Sequence, residues 1–394
     1  MKKYSFKKFL EYKNEEKKKN RSLILGLIFL SFIAVIILIA LYIGNSDFRS
    51  FVDVYILRKE VYENNAATLT IDSNDMSLVY AFNNHILTLD NGDLNFYDSS
   101  AKLSNTLNIT LSNPIASSDG KYLVLGDLGL QKLYLIQNNN IEWQKEVEGN
   151  ISKVNVNKNG YVSVIVSDST YESIVILYDN SGNELFKMFL SSTYAIDSDV
   201  SDKNEYLAIA QVDYSGINIK SKVEIISVES AINDKENAKI NTYNADIGEM
   251  ILDINYQNNN ELYCQLDNSI ISITPSDSEE VFEIDDSTIF LSDATANSFV
   301  RIDKESSGIL NSDYRMKITD LKGNEHVYVI EGSVKNMKTS NKIVAINHGK
   351  QVNFVNLNGW LKKKYISTRE IKDVMISDNI AAIIYKNKID IIKL

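Results

Sequence analysis

From about residue 66 to the carboxy terminus the chain repeats one texture: short runs rich in Val, Ile, Leu, Tyr and Thr, separated by turns of Asn, Asp, Gly and Ser. The unit is a weakly apolar strand, a polar turn such as Ser117 to Lys121, a small apolar strand such as Tyr122 to Gly126, an alternating strand and a final strand. Ile115–Gly126 and Ile196–Ala210 both open this way. A turn with a hydrophobic return follows the third strand at Val175–Phe186, Lys317–Glu325 and Phe354–Trp360. The units run roughly over 76–110, 112–149, 150–191, 193–245, 246–287, 288–331 and 333–368. A final piece, Ile371–Leu394, holds only three strands, and Ala66–Asp72 can supply its fourth. Four strands per unit of about 35–50 residues predict an all-β fold, a β-propeller of eight blades with seven as the alternative. Pairing the two ends of the domain closes the ring and removes exposed sheet edges.

These YLVLG-, ILYD-x-x-G- and NLNGW-type elements resemble those of WD-like and quinoprotein-like propellers. The layout of basic tail, single anchor, neck and divergent propeller resembles an uncharacterised family of membrane-anchored propeller-like proteins of low-GC Gram-positive bacteria. The resemblance implies a propeller outside the membrane. It transfers no active site, because WD and GH dipeptides and a tryptophan-rich docking pattern are missing.

Ahead of the repeats, Leu23 to Ile43 carry no charge, and Ser31 is the one strongly polar side chain. A helix of that length is roughly 31 Å long, the thickness of a bilayer's hydrocarbon layer. The run is too long for a signal-peptide core and ends in no A-x-A site, so an uncleaved transmembrane helix over 23–43 is expected. Residues 1–22 carry nine basic and three acidic groups, +6, whereas the whole chain is −11, which leaves −17 (32 basic, 49 acidic) for the remainder. This asymmetry puts the 1–22 tail in the cytoplasm and the large domain outside a plasma membrane crossed once. Residues 44–65 read as an amphipathic neck: Phe48, Phe51, Val52, Tyr55, Ile56 and Lys59 fall at helical spacing, with Asn45 or Ser46 as cap. The propeller is then 66–394.

The acidic remainder argues against nucleic-acid binding. The lone Cys264 excludes an intrachain disulfide and, in Glu261-Leu-Tyr-Cys-Gln-Leu266, reads as a small buried hydrophobe. His85, His326 and His348 stand in different repeats without a second ligand at metal spacing. Asp197, Asp199, Asp202 and Glu205 form the densest acidic cluster; without a mid-loop glycine they read as a solvated turn between blade strands, not a calcium loop. No phosphate-binding glycine loop or G-x-S-x-G elbow occurs. Neither catalytic residues nor a metal or other cofactor are therefore expected.

In a propeller, the loops joining strands two and three, and those joining blades, share one face. Three such loops are long: Ser167–Ser173, Gln211–Lys222 and Asp303–Arg315. They bring Tyr171, Tyr214, Ile217, Tyr314 and Arg315 toward one rim, with Tyr194 on a neighbouring connection. The expected role is a binding or scaffolding module for an envelope protein or glycan. The alternative is a hydrolase or lyase of cell-wall carbohydrate, which would need acids, His or Tyr converging in the channel.

Overall fold

The computed structural model describes residues 25–57, 59, 66–71, 76–234, 237–284, 287–294, 298–306, 312–320 and 323–394. The basic tail, the first two residues of the apolar run and much of the neck's second half lie outside them. Helix α1, Leu25–Gly44, is long and apolar enough to cross a membrane. Within it, Ser31 Oγ donates to the Ile28 carbonyl at 2.8 Å, so that hydroxyl does not interrupt the apolar surface, and near its end Tyr42 Oη donates to Asp53 Oδ1 at 2.7 Å. Asn45 Oδ1 accepts from Phe48 N at 2.9 Å and caps α2, Ser46–Phe51. Arg49 donates to the carbonyls of Tyr42 and Ile43, satisfying the end of α1. The neck continues as a π-helical turn at Val52–Ile56, and residues 58 and 60–65 of the expected 44–65 span lie outside the described residues.

Thirty-two strands among the described residues make eight four-stranded sheets. Seven are sequential: β2–β5 (76–108), β6–β9 (114–146), β10–β13 (150–190), β14–β17 (194–244), β18–β21 (251–283), β22–β25 (288–330) and β26–β29 (336–366). The eighth joins β30–β32 (373–393) to β1, Ala67–Thr70, in the order β1-β32-β31-β30. Its register runs from Ala67 opposite Ile391 to Thr70 opposite Lys388. The eight-bladed ring expected from the repeats is present, closed by strand pairing between its two ends.

Burial follows blade position. Second strands are covered on both sides by neighbouring blades, so β7 (Tyr122–Asp127) and β31 (Ile380–Ile384) are buried at every residue. Outermost strands have one wet face, and β9 (Asn140–Glu146) alternates exposed and half-buried. The core is a ring of layers between blades. One layer packs Val124 and Leu135 of blade 2 against Val154 and Val164 of blade 3. Others join blades 3 and 4 through Phe186 and Leu207, and blades 8 and 1 through Ile389, Ile391 and Ile86. Blade 4 adds a short helix not anticipated from sequence, α3 (Val228–Asn233), capped by Ser227 and burying Val228 and Ala231.

Candidate functional site

Strand direction defines two faces. Loops between second and third strands, and the connections between blades, make the rim face. Turns between first and second strands make the opposite, turn face.

On the rim face the β15–β16 hairpin extends further than its loop-like sequence suggests. Strand β15 runs to Asp213 and β16 starts at Lys220, leaving 214–219 as the tip. Tyr214 is exposed there and Ile217 fully so. The Tyr214 ring stacks on Tyr194, centroids 4.6 Å apart. Hydrogen bonding to Glu172 and then to Tyr214 holds the Tyr194 hydroxyl proton and raises its pKa. Glu172 follows Tyr171, whose ring lies 4.8 Å from exposed Phe189. Tyr171, Tyr194, Tyr214 and Ile217 thus stand on blades 3 and 4 in one connected group. Tyr314 and Arg315, expected on a loop, instead belong to strand β24, opposite Lys304 and Asp303. Arg315 Nε lies 3.0 Å from Glu305 Oε2 on blade 6, and no contact among the described residues joins it to the tyrosines.

The central channel widens on the turn face into a cavity of about 710 Å³. In β10, β14 and β18 the register shifts just before Lys153, Asp197 and Asp253. Bulges there re-aim the following side chains, which hold equivalent positions in blades 3, 4 and 5. Lys153 Nζ lies 2.6 Å from Asp197 Oδ2 and 3.3 Å from Asp253 Oδ1. Asp197 is only 1% exposed, and it accepts from Asn155 Nδ2 at 2.9 Å and Ile254 N at 3.1 Å. Burial, and then the charge of Asp253, push its pKa well above the ordinary carboxylate range, against the pull of Lys153. Burial also works against the Lys153 ammonium, but the two carboxylates outweigh it and raise its pKa. Asp199 accepts from Tyr256 N at 2.6 Å, and burial raises it to about 7.

Two of the four acids read as a solvated turn are therefore misplaced by that reading. Asp197 and Asp199 lie within strand β14 (Tyr194–Val200), because the bulge keeps both inside the channel wall. Only Asp202 and Glu205 occupy the turn, where they bind Lys158 and Asn259 of the flanking blades. Sequence reasoning missed Lys153 and Asp253, which come from separate repeats; the shared signal is a charged residue two before Asn or Asp in each innermost strand. Elsewhere, Cys264 is buried in β19 (Leu262–Leu266), and burial raises its thiol pKa. His348 Nδ1 sits 2.8 Å from the Ser333 carbonyl, a strand-end contact. Among the described residues no group of three or more His, Cys, Asp or Glu is arranged to hold a metal.

Residues 58–394 match a sequence family described as a family of unknown function, DUF5711. No curated protein matches the sequence. Among solved structures the chain is similar to BamB from Moraxella catarrhalis, at 12% identity over 83% of this chain and 98% of that one, with a TM-score of 0.45. It is similar to the Pan2 WD40 domain of Neurospora crassa, at 11% identity over 73% and 94%, TM-score 0.45. It is also similar to the tricorn protease, at 11% identity over 75% and 34%, TM-score 0.49. At such identities the likeness is one of fold alone.

Proposed function

The chain belongs to the DUF5711 family of unknown function, and we propose that it is a single-pass plasma-membrane protein whose extracytoplasmic propeller binds or scaffolds a partner in a bacterial cell envelope. The charge asymmetry about the apolar run supports that topology, with +6 before it and −17 in the remainder. The observation that carries the binding role is the grouping of Tyr171, Tyr194, Tyr214 and Ile217 on the rim face. Exposed aromatic and aliphatic side chains on a rigid ring are what a docking surface needs, since little ordering entropy is lost on contact. A photo-crosslinking residue at Ile217 in host cells should give a discrete adduct, and one at Ser181 on the turn face should not. Absence of any adduct at position 217, with insertion and expression intact, removes this reading.

A second reading is favoured by the Lys153–Asp197–Asp253 cluster: hydrolysis or elimination on cell-wall carbohydrate in the channel, which needs carboxyl groups with perturbed proton affinity. It ranks lower because N–H donors and Lys153 already occupy both Asp197 oxygens. Purified full chain incubated with peptidoglycan tests it. Release of new reducing ends that Asp253→Asn abolishes would establish it, and no release would end it.

A further inference from the structure

The rim-face patch extends beyond the residues that first marked it. Ile219 belongs to the same hairpin tip as Tyr214 and Ile217, and its carbonyl accepts from Gly248 N at 3.2 Å. That bond ties the tip to the connection between blades 4 and 5, where Ile247 and Met250 are exposed. Leu252 is the bulged residue of β18, left out of the ladder between Ile251 and Asp253. The hairpin tip with exposed Tyr214, Ile217 and Ile219 is thus bonded to a connection that carries exposed Ile247 and Met250, and exposed Leu252 follows in β18. A cluster of this kind on a soluble face marks an interaction site.

Its border is acidic. Asp213 ends the strand that leads into the tip, Asp246 and Glu249 lie in the connection, and Asp267 Oδ1 accepts from Met250 N at 3.1 Å; Lys220 faces Asp213 across the hairpin, and Lys222 also acts on it. Asp213 is held below the ordinary carboxylate range by Ser215, through its side chain and backbone. Glu249 accepts from Asn268 Nδ2 at 2.7 Å and from Asp246 N at 3.0 Å, neutral donors that leave its charge uncompensated. The two salt bridges of the third and fourth strands of blade 4, from Lys222 and Lys239, go to Glu224 instead.

We infer that this patch is a docking site for a cationic amphipathic peptide segment, one that carries apolar side chains on one side and Lys or Arg beside them. The inference rests on the binding role proposed above and specifies its partner. Apolar contacts with Ile217, Ile247 and Leu252 supply the affinity, and the acidic border selects the charge and accelerates encounter. A second copy of this chain is a poor occupant, because two acidic borders would face each other. A sugar is poorer too, since Tyr194 and Tyr214 spend one face each on one another.

The test uses the full chain in phosphatidylcholine nanodiscs, titrated into a fluorescent Lys–Leu peptide and read by anisotropy. Binding should weaken at least about tenfold in Ile217→Asp/Ile247→Asp, hot-spot losses of the usual size. It should also weaken, and lose most of its salt dependence, in Asp246→Asn/Glu249→Gln. Glu142→Gln, an exposed acid on blade 2, should change neither. Ile217 and Ile247 are exposed, so an unchanged melting curve will show that the variants fold.

A Glu–Leu peptide or an N-acetylglucosamine tetramer that binds instead, and is lost in Ile217→Asp/Ile247→Asp, overturns the partner class while the rim-face binding role stands. The same holds for self-association lost in that variant. Lys–Leu binding that these variants do not weaken overturns the site. If none of the probes binds, the inference falls; the binding role falls with it only if the crosslinker at Ile217 is also silent.

Discussion

Ring closure through β1 and β32 makes a quantitative claim about stability. Strand β32, Lys388–Lys393, is buried on both faces: Ile389 and Ile391 pack toward blade 1, and Ile392 packs with Phe354 and Tyr365 of blade 7. All three are at most 1% exposed. Burying such side chains contributes about 1.5–3 kcal/mol each, hence about 5–9 kcal/mol together, against a typical total of about 5–15 kcal/mol. Between them sits Asp390, which accepts from Thr68 Oγ1 at 2.7 Å, Tyr365 Oη at 2.7 Å and Lys388 Nζ at 2.6 Å. Removing 388–394 should therefore unfold most of the ring and leave β1 and β31 as open edges. Two point variants grade the effect. Ile391→Ala should lower stability by about 2–5 kcal/mol, and Thr68→Val, which removes one donor from a buried carboxylate, by about 1–3 kcal/mol. Denaturant unfolding of the full chain in detergent, with limited proteolysis alongside, reads all three. A truncated chain that unfolds at the parent's midpoint, or an Ile391→Ala variant that does, would refute closure by this strand.

Gly126→Ala should destabilise by about 1–3 kcal/mol, because a Cβ there would stand 2.9 Å from Val154 Cγ1 of the next blade; an unchanged thermal midpoint would contradict that packing. Asp199, raised to about 7, keeps a proton in the folded chain between about pH 4 and 7 that the unfolded chain gives up, so its contribution falls as pH rises through that window, by up to about 4 kcal/mol. Melting from pH 5 to 8 should accordingly show a steeper loss in the parent than in Asp199→Asn, and parallel slopes would reject the assignment. Finally, Ile217→Cys should react with a membrane-impermeant maleimide in intact cells over a silent background, since Cys264 is buried; labelling only after lysis would reverse the proposed topology.

Blade number and boundaries were legible because two local signals coincide in each repeat: an apolar second strand and a turn before it. Tyr122–Gly126 after Asp119-Gly120 shows both. Closure was legible by counting, because the last repeat lacked one strand. The extent of β32 burial was not. Alternation suggests one wet face, but a blade has neighbours on both sides, so Ile391 and Ile392 are both covered. The channel cluster was hidden for a different reason. Lys153, Asp197 and Asp253 are 44 and 56 residues apart in sequence, and only the bulges place them together. Asp197 and Asp199 looked like turn residues because Asp and Ser favour turns, a preference overridden here by N–H groups of blades 3 and 5 that need acceptors. The rim was half legible. Tyrosine and a long hairpin loop point to blades 3 and 4, but Ile247 and Met250 sit in a connection too short to draw notice, and Tyr314, whose polar surroundings suggest a loop, lies in strand β24.

The seam between β1 and β32 also sets an order of events during synthesis. Thr68 and Asp390 are 322 residues apart, so at about 5–20 residues per second the amino-terminal strand emerges roughly 15–65 s before its partner exists. Blades 1 to 7 can form in turn as they appear, each covering the last. Blade 8 cannot, and the ring stays open until Lys388–Lys393 has been made. A ribosome that stalls earlier, or a message cut short, leaves a chain with an unpaired strand at one end and an uncovered sheet at the other. Both are features that proteases and chaperones recognise, so closure of the seam acts as a check that the polypeptide has been made through its last blade.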